Sequence, residues 1–314
     1  MSGLTPSLFG RDLLTLAAWT RDEIAGVLDL ASAIKADPAS YRSALAGRVG
    51  VLLFEKPSLR TRVSFEVGFA RLGGHAIYLE HIHSLIGERE AIKDYAKNLE
   101  RWSDVVIARV FEHRTLEELA TYSSKPVVNA LSDLTHPCQA LADMLTLRER
   151  LGSLEEKKLA YIGDGNNVCH SLMLASSIMG VDLVVVTPPG YEPTPEMSRL
   201  SGERAGASGA SLKITNELSA LEGCDAVYTD AWVSMGQADE AGKRLEAFRD
   251  YQVNNALMAS AGPDALFMHC LPAKRGVEVT DSVVDSARSV VYDQAENRMH
   301  AQNALLMNLL GESD

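Results

Sequence analysis

The chain has 314 residues, 46% of them hydrophobic, and 30 basic against 42 acidic side chains give a formal net charge of -12. That length and apolar content can fill two cores of ordinary domain size, while the acidic balance excludes nucleic acid or an anionic membrane as a partner held by bulk electrostatics. The four cysteines (Cys138, Cys169, Cys224, Cys270) are scattered without a C-x-x-C, Met1 to Phe9 has no signal-like apolar core, and no apolar run is long enough to span a bilayer, so a reducing, cytoplasmic setting is expected.

Thr20-Arg21-Asp22-Glu23 has the form of a capping box, and Ile24, Val27, Leu28, Ala31 and Ile34 follow at helical spacing. Val49 to Phe54 is an apolar run bounded by Pro57, which predicts a buried strand. Val63, Phe65, Val67, Phe69 and Leu72 then predict a helix ended by Gly73-Gly74, with His75 to Leu79 extended. A helix is expected around Ile92 to Trp102, a strand from Val105 to Ala108 ending in Arg109, a helix at Leu116 to Tyr122, a strand at Val127 to Leu131, and a helix at His136 to Arg150. A charged, Gly-containing stretch from Gly152 to Lys158 interrupts the alternation, which then restarts. Strands are expected at Leu159–Ile162, Leu183–Val186, Ala226–Thr229, Leu266–Met268 and Val290–Tyr292, with helices at Ser171–Met179 and Glu296–Leu310. The alternation predicts an α/β chain of two domains, each a mainly parallel sheet flanked by helices, with residues 1–150 and 151–295 as the two bodies.

The stretch richest in chemistry is Phe54-Glu55-Lys56-Pro57-Ser58-Leu59-Arg60-Thr61-Arg62, a strand-to-helix turn with two hydroxyls and two guanidiniums within five residues. Free N–H groups and the positive dipole end at a helix start already favour an anion, and Arg forks with hydroxyl donors suit the oxygens of a phosphate. Other unusual residues fall at expected strand ends, where ligands of open parallel sheets bind: Arg109, His136-Pro137-Cys138-Gln139, Asp230 ahead of Ser234-Met235-Gly236, and His269-Cys270-Leu271-Pro272. Taken singly, each has an ordinary structural reading, as a capped helix start, a core cysteine or a turn carboxylate. Their shared position is what points to a site.

Gly163-Asp164-Gly165-Asn166-Asn167-Val168 lacks the third glycine of a dinucleotide fingerprint, and the next strand ends in Thr187-Pro188-Pro189 with no acidic residue for a ribose. No NAD(P) cofactor is expected; Asn166 and Asn167 present amides to a polar ligand. His81 and His83 have no acidic or thiol partner in metal-ligand spacing, so no metal is expected.

Together the S-L-R-T-R, H-P-C-Q, S-M-G and H-C-L-P stretches resemble the ornithine carbamoyltransferases, in the family that also contains the aspartate carbamoyltransferases. The resemblance runs from about Leu13 to the last helix. It departs at Leu59, where a threonine is common, and at Leu85, where some members place a glutamine reaching a neighbouring subunit. It implies two α/β domains, a final helix (residues 296–314) returning to the first, a homotrimer or higher multiple with active sites at subunit interfaces, and two small-molecule substrates, carbamoyl phosphate and L-ornithine.

By that resemblance, Ser58, the Leu59 N–H, Arg60, Thr61 and Arg109 take the phosphate, and Thr61, Arg109 and His136 the carbonyl oxygen. Gln139, Arg298 and the Leu271 carbonyl serve the carbamoyl NH₂, which needs acceptors. Asn167 and the Met235 N–H suit the ornithine carboxylate, Asp230 and Ser234 its α-ammonium. Cys270, coupled to Asp230, lies near the δ-amine, beside the carbamoyl group, and relays its proton. A sister carbamoyltransferase for another amine such as putrescine, or a catalytically silent paralogue, remains as an alternative.

Overall fold

The structure is a computed structural model that describes residues 4–233 and 238–311. In chain order the main elements are α1 (Arg21–Ala36), β1 (Val49–Phe54), α2 (Leu59–Arg71), β2 (His75–Glu80), α3 (Ile92–Trp102), β3 (Val105–Arg109), α4 (His113–Tyr122), β4 (Val127–Leu131) and α5 (Pro137–Leu151). There follow β5 (Lys158–Ile162), α6 (Asn167–Met179), β6 (Asp182–Val186), α7 (Pro195–Ser208), β7 (Leu212–Thr215), β8 (Ala226–Thr229), α8 (Ala241–Ala247), α9 (Asn255–Ala261), β9 (Leu266–His269), α10 (Asp281–Val284) and α11 (Val291–Leu310). They form two compact units: unit 1 is Met1–Leu145 with Glu296–Asp314, and unit 2 is Thr146–Ala295. The chain passes between them within α5 and again within α11.

Unit 1 holds a four-stranded sheet in the order β2-β1-β3-β4, all parallel. Val105 to Ala108 of β3 are fully buried, as expected for a strand covered on both faces by helices. The α1 capping box is present, with Glu23 N donating to Thr20 Oγ1 and Thr20 N to the Glu23 carboxylate. Gly50 sits in β1 because a Cβ there would lie 2.3 Å from Phe69 Cζ of α2, so the helix rests directly on strand backbone. The chain leaves β1 outward to β2 and returns to β3 on the other side, which puts the topological switch between β1 and β3.

Unit 2 holds a five-stranded parallel sheet in the order β7-β6-β5-β8-β9, with its switch between β5 and β8. Its core joins Ile162, Val186, Val227, Phe267 and Val283. Helix α6 is buried along almost its whole length, capped by Asn166 and closed by Gly180 at φ 80°. Gly165 is needed for close approach: a Cβ there would lie 2.2 Å from the backbone nitrogen of Pro193.

The expected strand at Val290–Tyr292 is a correction. Arg288 to Val290 make one isolated bridge to Phe267 beside β9, and Val291 already opens α11. A β-branched pair mimicked a strand there, whereas burial of Val290 and Val291 at the start of a long helix decides the outcome. Helices α2, α4 and α6 start earlier than the apolar spacing indicated, α2 and α4 because their first turns are mainly polar.

Two glycines of unit 2 give opposite expectations. Gly165→Ala must move the backbone around Glu192 and Pro193 and is expected to cost about 1–3 kcal/mol, whereas Gly202→Ala, on an open face of α7 with nothing within 4 Å, should gain about 0.5–1 kcal/mol. Urea unfolding of both variants checks the signs; equal effects would contradict the close approach at Gly165.

Candidate active site

In unit 1 the first residues at the switch are those of the Ser58 turn. Ser58 is the N-cap of α2: its Oγ accepts from Thr61 N at 3.3 Å and donates to Thr61 Oγ1 at 3.1 Å. Leu59 is 75% exposed, so its side chain packs on nothing and its position offers mainly a helix N-terminal N–H. Arg60 is half-buried, but Arg62 turns outward, bonded to Glu66 at 3.2 Å and stacked 3.8 Å over Tyr78. Of the two guanidiniums in the turn, that of Arg62 is thus engaged with side chains of α2 and β2.

Arg109 ends β3 at a register shift against β4, and it is buried. Glu55, which the sequence reading did not single out, braces this region. Its backbone N–H donates to Arg109 O, and its buried carboxylate accepts from Ile86 N at 2.9 Å and Phe111 N at 2.8 Å. Lys56 is buried beside it with Nζ 4.2 Å over the Phe111 ring; burial, then the charge of Arg109, lowers its pKa.

His136 occupies the N-cap position of α5, its carbonyl accepting from Ala140 N, with Pro137 in the first-turn position that needs no N–H. Burial, followed by the charges of Arg298 and Arg109, holds the His136 imidazole well below its ordinary pKa, so it is neutral at physiological pH. Cys138 is not part of the chemistry: burial pushes its thiol up to about 12, and it donates to Asn129 O within the core.

Gln139 faces inward from α5. Arg298, from α11, donates Nη1 to Gln139 Oε1 at 2.8 Å and Nη2 to Thr61 Oγ1 at 2.9 Å. Asp143, one turn beyond Gln139, accepts from Gln139 Nε2 at 2.8 Å. Ser58, Thr61, Gln139 and Arg298 are thus joined in one hydrogen-bonded chain. Asp143 was missed from sequence, although its i,i+4 spacing from Gln139 was a usable signal.

In unit 2 the strand ends of β5, β8 and β9 carry the second group. Asn166 Oδ1 caps α6, accepting from Val168 N and Cys169 N, while its Nδ2 donates to Asp230 Oδ2 at 2.8 Å. Asp230 Oδ1 accepts from Ala231 N at 2.7 Å and from the Cys270 thiol at 2.9 Å. Asn167, at the first position of α6, is half-buried. Leu271 stands at φ 58°, an uncommon conformation for a non-glycine, with its N–H donating to His269 Nδ1 at 2.9 Å. Cys270 and Leu271, expected to serve the carbamoyl group, are therefore carried by unit 2.

Ser234 and Met235, like Gly236, lie outside the described residues. Just before them, the Trp232 carbonyl accepts from Arg244 Nη1, which also pairs with the buried Asp164 carboxylate at 2.9 Å. Asp230, His269 and Cys270 bring possible metal-ligating atoms within 4.8 Å of one another. Both ring nitrogens of His269 are already engaged, by Leu271 N and by Glu278 at 3.2 Å, so an ion there would have to displace a hydrogen bond.

Residues 11–149 match the family description "Aspartate/ornithine carbamoyltransferase, carbamoyl-P binding domain", and residues 155–309 match "Aspartate/ornithine carbamoyltransferase, Asp/Orn binding domain". The ornithine carbamoyltransferase of Shewanella oneidensis is 49% identical over 299 residues, 95% of this chain and 99% of that one. The ornithine carbamoyltransferase of Pyrococcus furiosus named anabolic is 48% identical, covering 97% of this chain and 98% of that one. The solved structure of ornithine carbamoyltransferase from Pyrococcus furiosus superposes with a TM-score of 0.94 at 47% identity, covering 98% of this chain and 99% of that one. Two domain matches spanning nearly the whole length, and relatives close to half identical end to end, lead to one conclusion: the chain belongs to the aspartate/ornithine carbamoyltransferase family.

Proposed function

We infer that the protein transfers the carbamoyl group of carbamoyl phosphate to the δ-amine of L-ornithine, giving L-citrulline and phosphate. The observation that carries this reading is the convergence in unit 1 of the Ser58 turn, Gln139 and Arg298 into one buried hydrogen-bonded chain. Such a chain matches a ligand that combines an anionic phosphate with a polar planar head.

The amine nitrogen attacks the carbonyl carbon, the C–O bond to phosphate breaks, and the amine loses a proton. The balance needs no redox partner. Charge grows on the carbonyl oxygen and on the departing phosphate, so preorganised donors at those places supply much of the acceleration. We assign the phosphate to Ser58, the Leu59 N–H, Arg60, Thr61 and Arg109. The carbonyl oxygen goes to Thr61, Arg109 and neutral His136. Gln139, Arg298 and the Leu271 carbonyl align the NH₂ and its surrounding donors.

The acceptor amino acid is assigned to unit 2. Asn167 and the Met235 N–H take its carboxylate, and Asp230 and Ser234 its α-ammonium. The Cys270 sulfur lies 2.9 Å from Asp230 Oδ1, and as a thiolate coupled to that carboxylate it is assigned to orient the δ-amine and relay its proton. Dependence on an α-carboxylate separates this reading from a putrescine enzyme. With carbamoyl phosphate fixed, ornithine should exceed putrescine in kcat/KM by about 100-fold or more; parity between the two amines would overturn it.

A homotrimer is part of the same reading. It is supported by apolar side chains that unit 1 leaves exposed on edge strand β2, on α2 and just beyond β2: Ile77, Leu59, Val63, Ile82 and Leu85. Cytoplasmic work in arginine biosynthesis fits the acidic balance and the relative named anabolic, and no described helix is long and apolar enough to cross a membrane.

Arg60→Gln should lower kcat/KM for carbamoyl phosphate by about 100-fold or more, with the urea midpoint close to the parent. Undiminished citrulline formation in that variant would contradict the phosphate assignment. For His136, the unfolded imidazole takes a proton below about pH 6.5 while the buried one resists, so acid favours the unfolded chain. The stability advantage of the parent over His136→Gln should therefore shrink by about 1 kcal/mol between pH 7.5 and 5.5. An unchanged or growing advantage at acid pH would show that His136 is not held neutral.

A further inference from the structure

The Gln139 amide lies between two groups of opposite need. Asp143 offers it only acceptors, and Arg298 only donors. All three side chains are buried, at 1% exposure for Gln139 and Asp143 and 4% for Arg298. Nε2 goes to Asp143 and Oε1 to Arg298, each at 2.8 Å. Turning the amide over would set donor against donor at the guanidinium and oxygen against oxygen at the carboxylate. An isolated glutamine has two nearly equivalent orientations; this one has a single orientation. Because Arg298 extends from Oε1 to Thr61, and Thr61 accepts from Ser58, the carbonyl end of the amide belongs to the side of the phosphate turn.

Resting on the carbamoyl-transfer reading above, we propose that Asp143 is a specificity-determining positioning residue. By holding Gln139 Nε2, it keeps Oε1 turned to the bound acyl phosphate. The site then offers an acceptor where the carbamoyl NH₂ lies, and it selects carbamoyl phosphate over acyl phosphates that carry a methyl group there.

The NH₂ of a carbamoyl group brings two donors and no useful acceptor. An amide facing it with Nε2 would oppose donor to donor, whereas one facing it with Oε1 uses the second lone pair beside the Arg298 bond. Sites that hydrogen-bond a substrate N–H reject the analogue lacking it far more strongly than apolar pockets separate isosteres. Asp143 touches neither substrate nor reacting atoms. It acts through Gln139, so its loss should erase discrimination before it weakens phosphate binding.

A pair of stable analogues isolates this effect: phosphonoacetamide, with NH₂ beside the carbonyl, and 2-oxopropylphosphonate, with CH₃ in the same place. Dissociation constants of both, and of inorganic phosphate, are measured by calorimetry on the full chain, its Asp143→Asn and Asp143→Leu variants, and melting temperature is recorded alongside. The parent should prefer phosphonoacetamide by about tenfold or more. Asp143→Leu should bring that preference to within about threefold of unity, and Asp143→Asn, whose amide either accepts or donates, should lower it at least about threefold. Affinity for inorganic phosphate and KM for ornithine should stay within about twofold of the parent.

A preference retained in the variants overturns the proposal. So does equal weakening of all three ligands, which would mark a general structural loss. Should the leucine variant not fold, the asparagine variant decides alone by the same ratio. A parent protein that forms no citrulline and does not distinguish the two analogues would instead sink the carbamoyl-transfer reading itself.

Discussion

The guanidinium of Arg298 is the constraint on which unit 1 depends. One Nη holds Gln139 and the other holds Thr61, across 159 and 237 residues of sequence. A buried charge is costly unless hydrogen-bonded, so these two Nη bonds tie the first-sheet turn, the start of α5 and the final helix together. The same charge, with that of Arg109, reaches His136 and adds to burial in keeping its imidazole neutral. Unit 1 therefore presents concentrated positive charge around a neutral hydrogen-bonding group, inside a chain whose total charge is -12. Local geometry rather than overall charge decides where an anion is held.

Unit 2 solves the converse problem. The Asp230 carboxylate is held by three neutral donors, the Asn166 amide, the Ala231 N–H and the Cys270 thiol. Neutral donors fix the carboxylate's rotamer without cancelling its charge. On the proposed reading, that charge meets a cationic ligand, which is what an amino acid with two ammonium groups brings. The cap of α6 and the orientation of Asp230 share one residue, Asn166, so the helix start and the carboxylate cannot be displaced independently.

Residues at strand ends were the most legible part of the sequence, because a buried parallel strand reads as an apolar run and the polar residue that stops it is conspicuous. Arg109, Asp230 and Cys270 stand at or just past a strand end and are readable in this way, whereas His136 stands out at the start of α5. The bracing roles were not legible. Glu55 and Asp143 are ordinary polar residues until their partners are known, and Asn166, expected to offer its amide to a ligand, uses it for the α6 cap and Asp230; the bonds from Asn166 to Asp230 and from Glu55 to Phe111 cross 64 and 56 residues. Helix α7 went unread although Thr194 and Pro195 form a clear helix start, because Gly202 and Gly206 dilute its apolar periodicity. Strand β7 is a short edge strand of four residues, too brief for alternation to register. At Val290–Tyr292 the local pattern pointed the wrong way, since β-branching records a preference that burial in a helix start overrode.

Each unit has its own sheet and its own switch point, and on the proposed reading the phosphate is met by residues of unit 1, the acceptor amino acid by residues of unit 2, and the carbamoyl NH₂ by both, through Gln139 and the Leu271 carbonyl. In unit 1, the lock on Gln139 lies between Asp143 and Arg298 and, on the proposed reading, concerns the planar head of the donor. In unit 2, Asn166 ties the cap of α6 to the Asp230 carboxylate, which the proposed reading gives to the acceptor. Changes in one set leave the hydrogen bonds of the other intact, because effects at sites with no shared partners are close to additive. A family that keeps one donor while its members take aspartate or ornithine as acceptor is what such a separation would produce. The buried chain through Arg298 is then the part least free to vary, since any loss there leaves a charge unsatisfied, while the acceptor residues of unit 2 can change with the amine they meet.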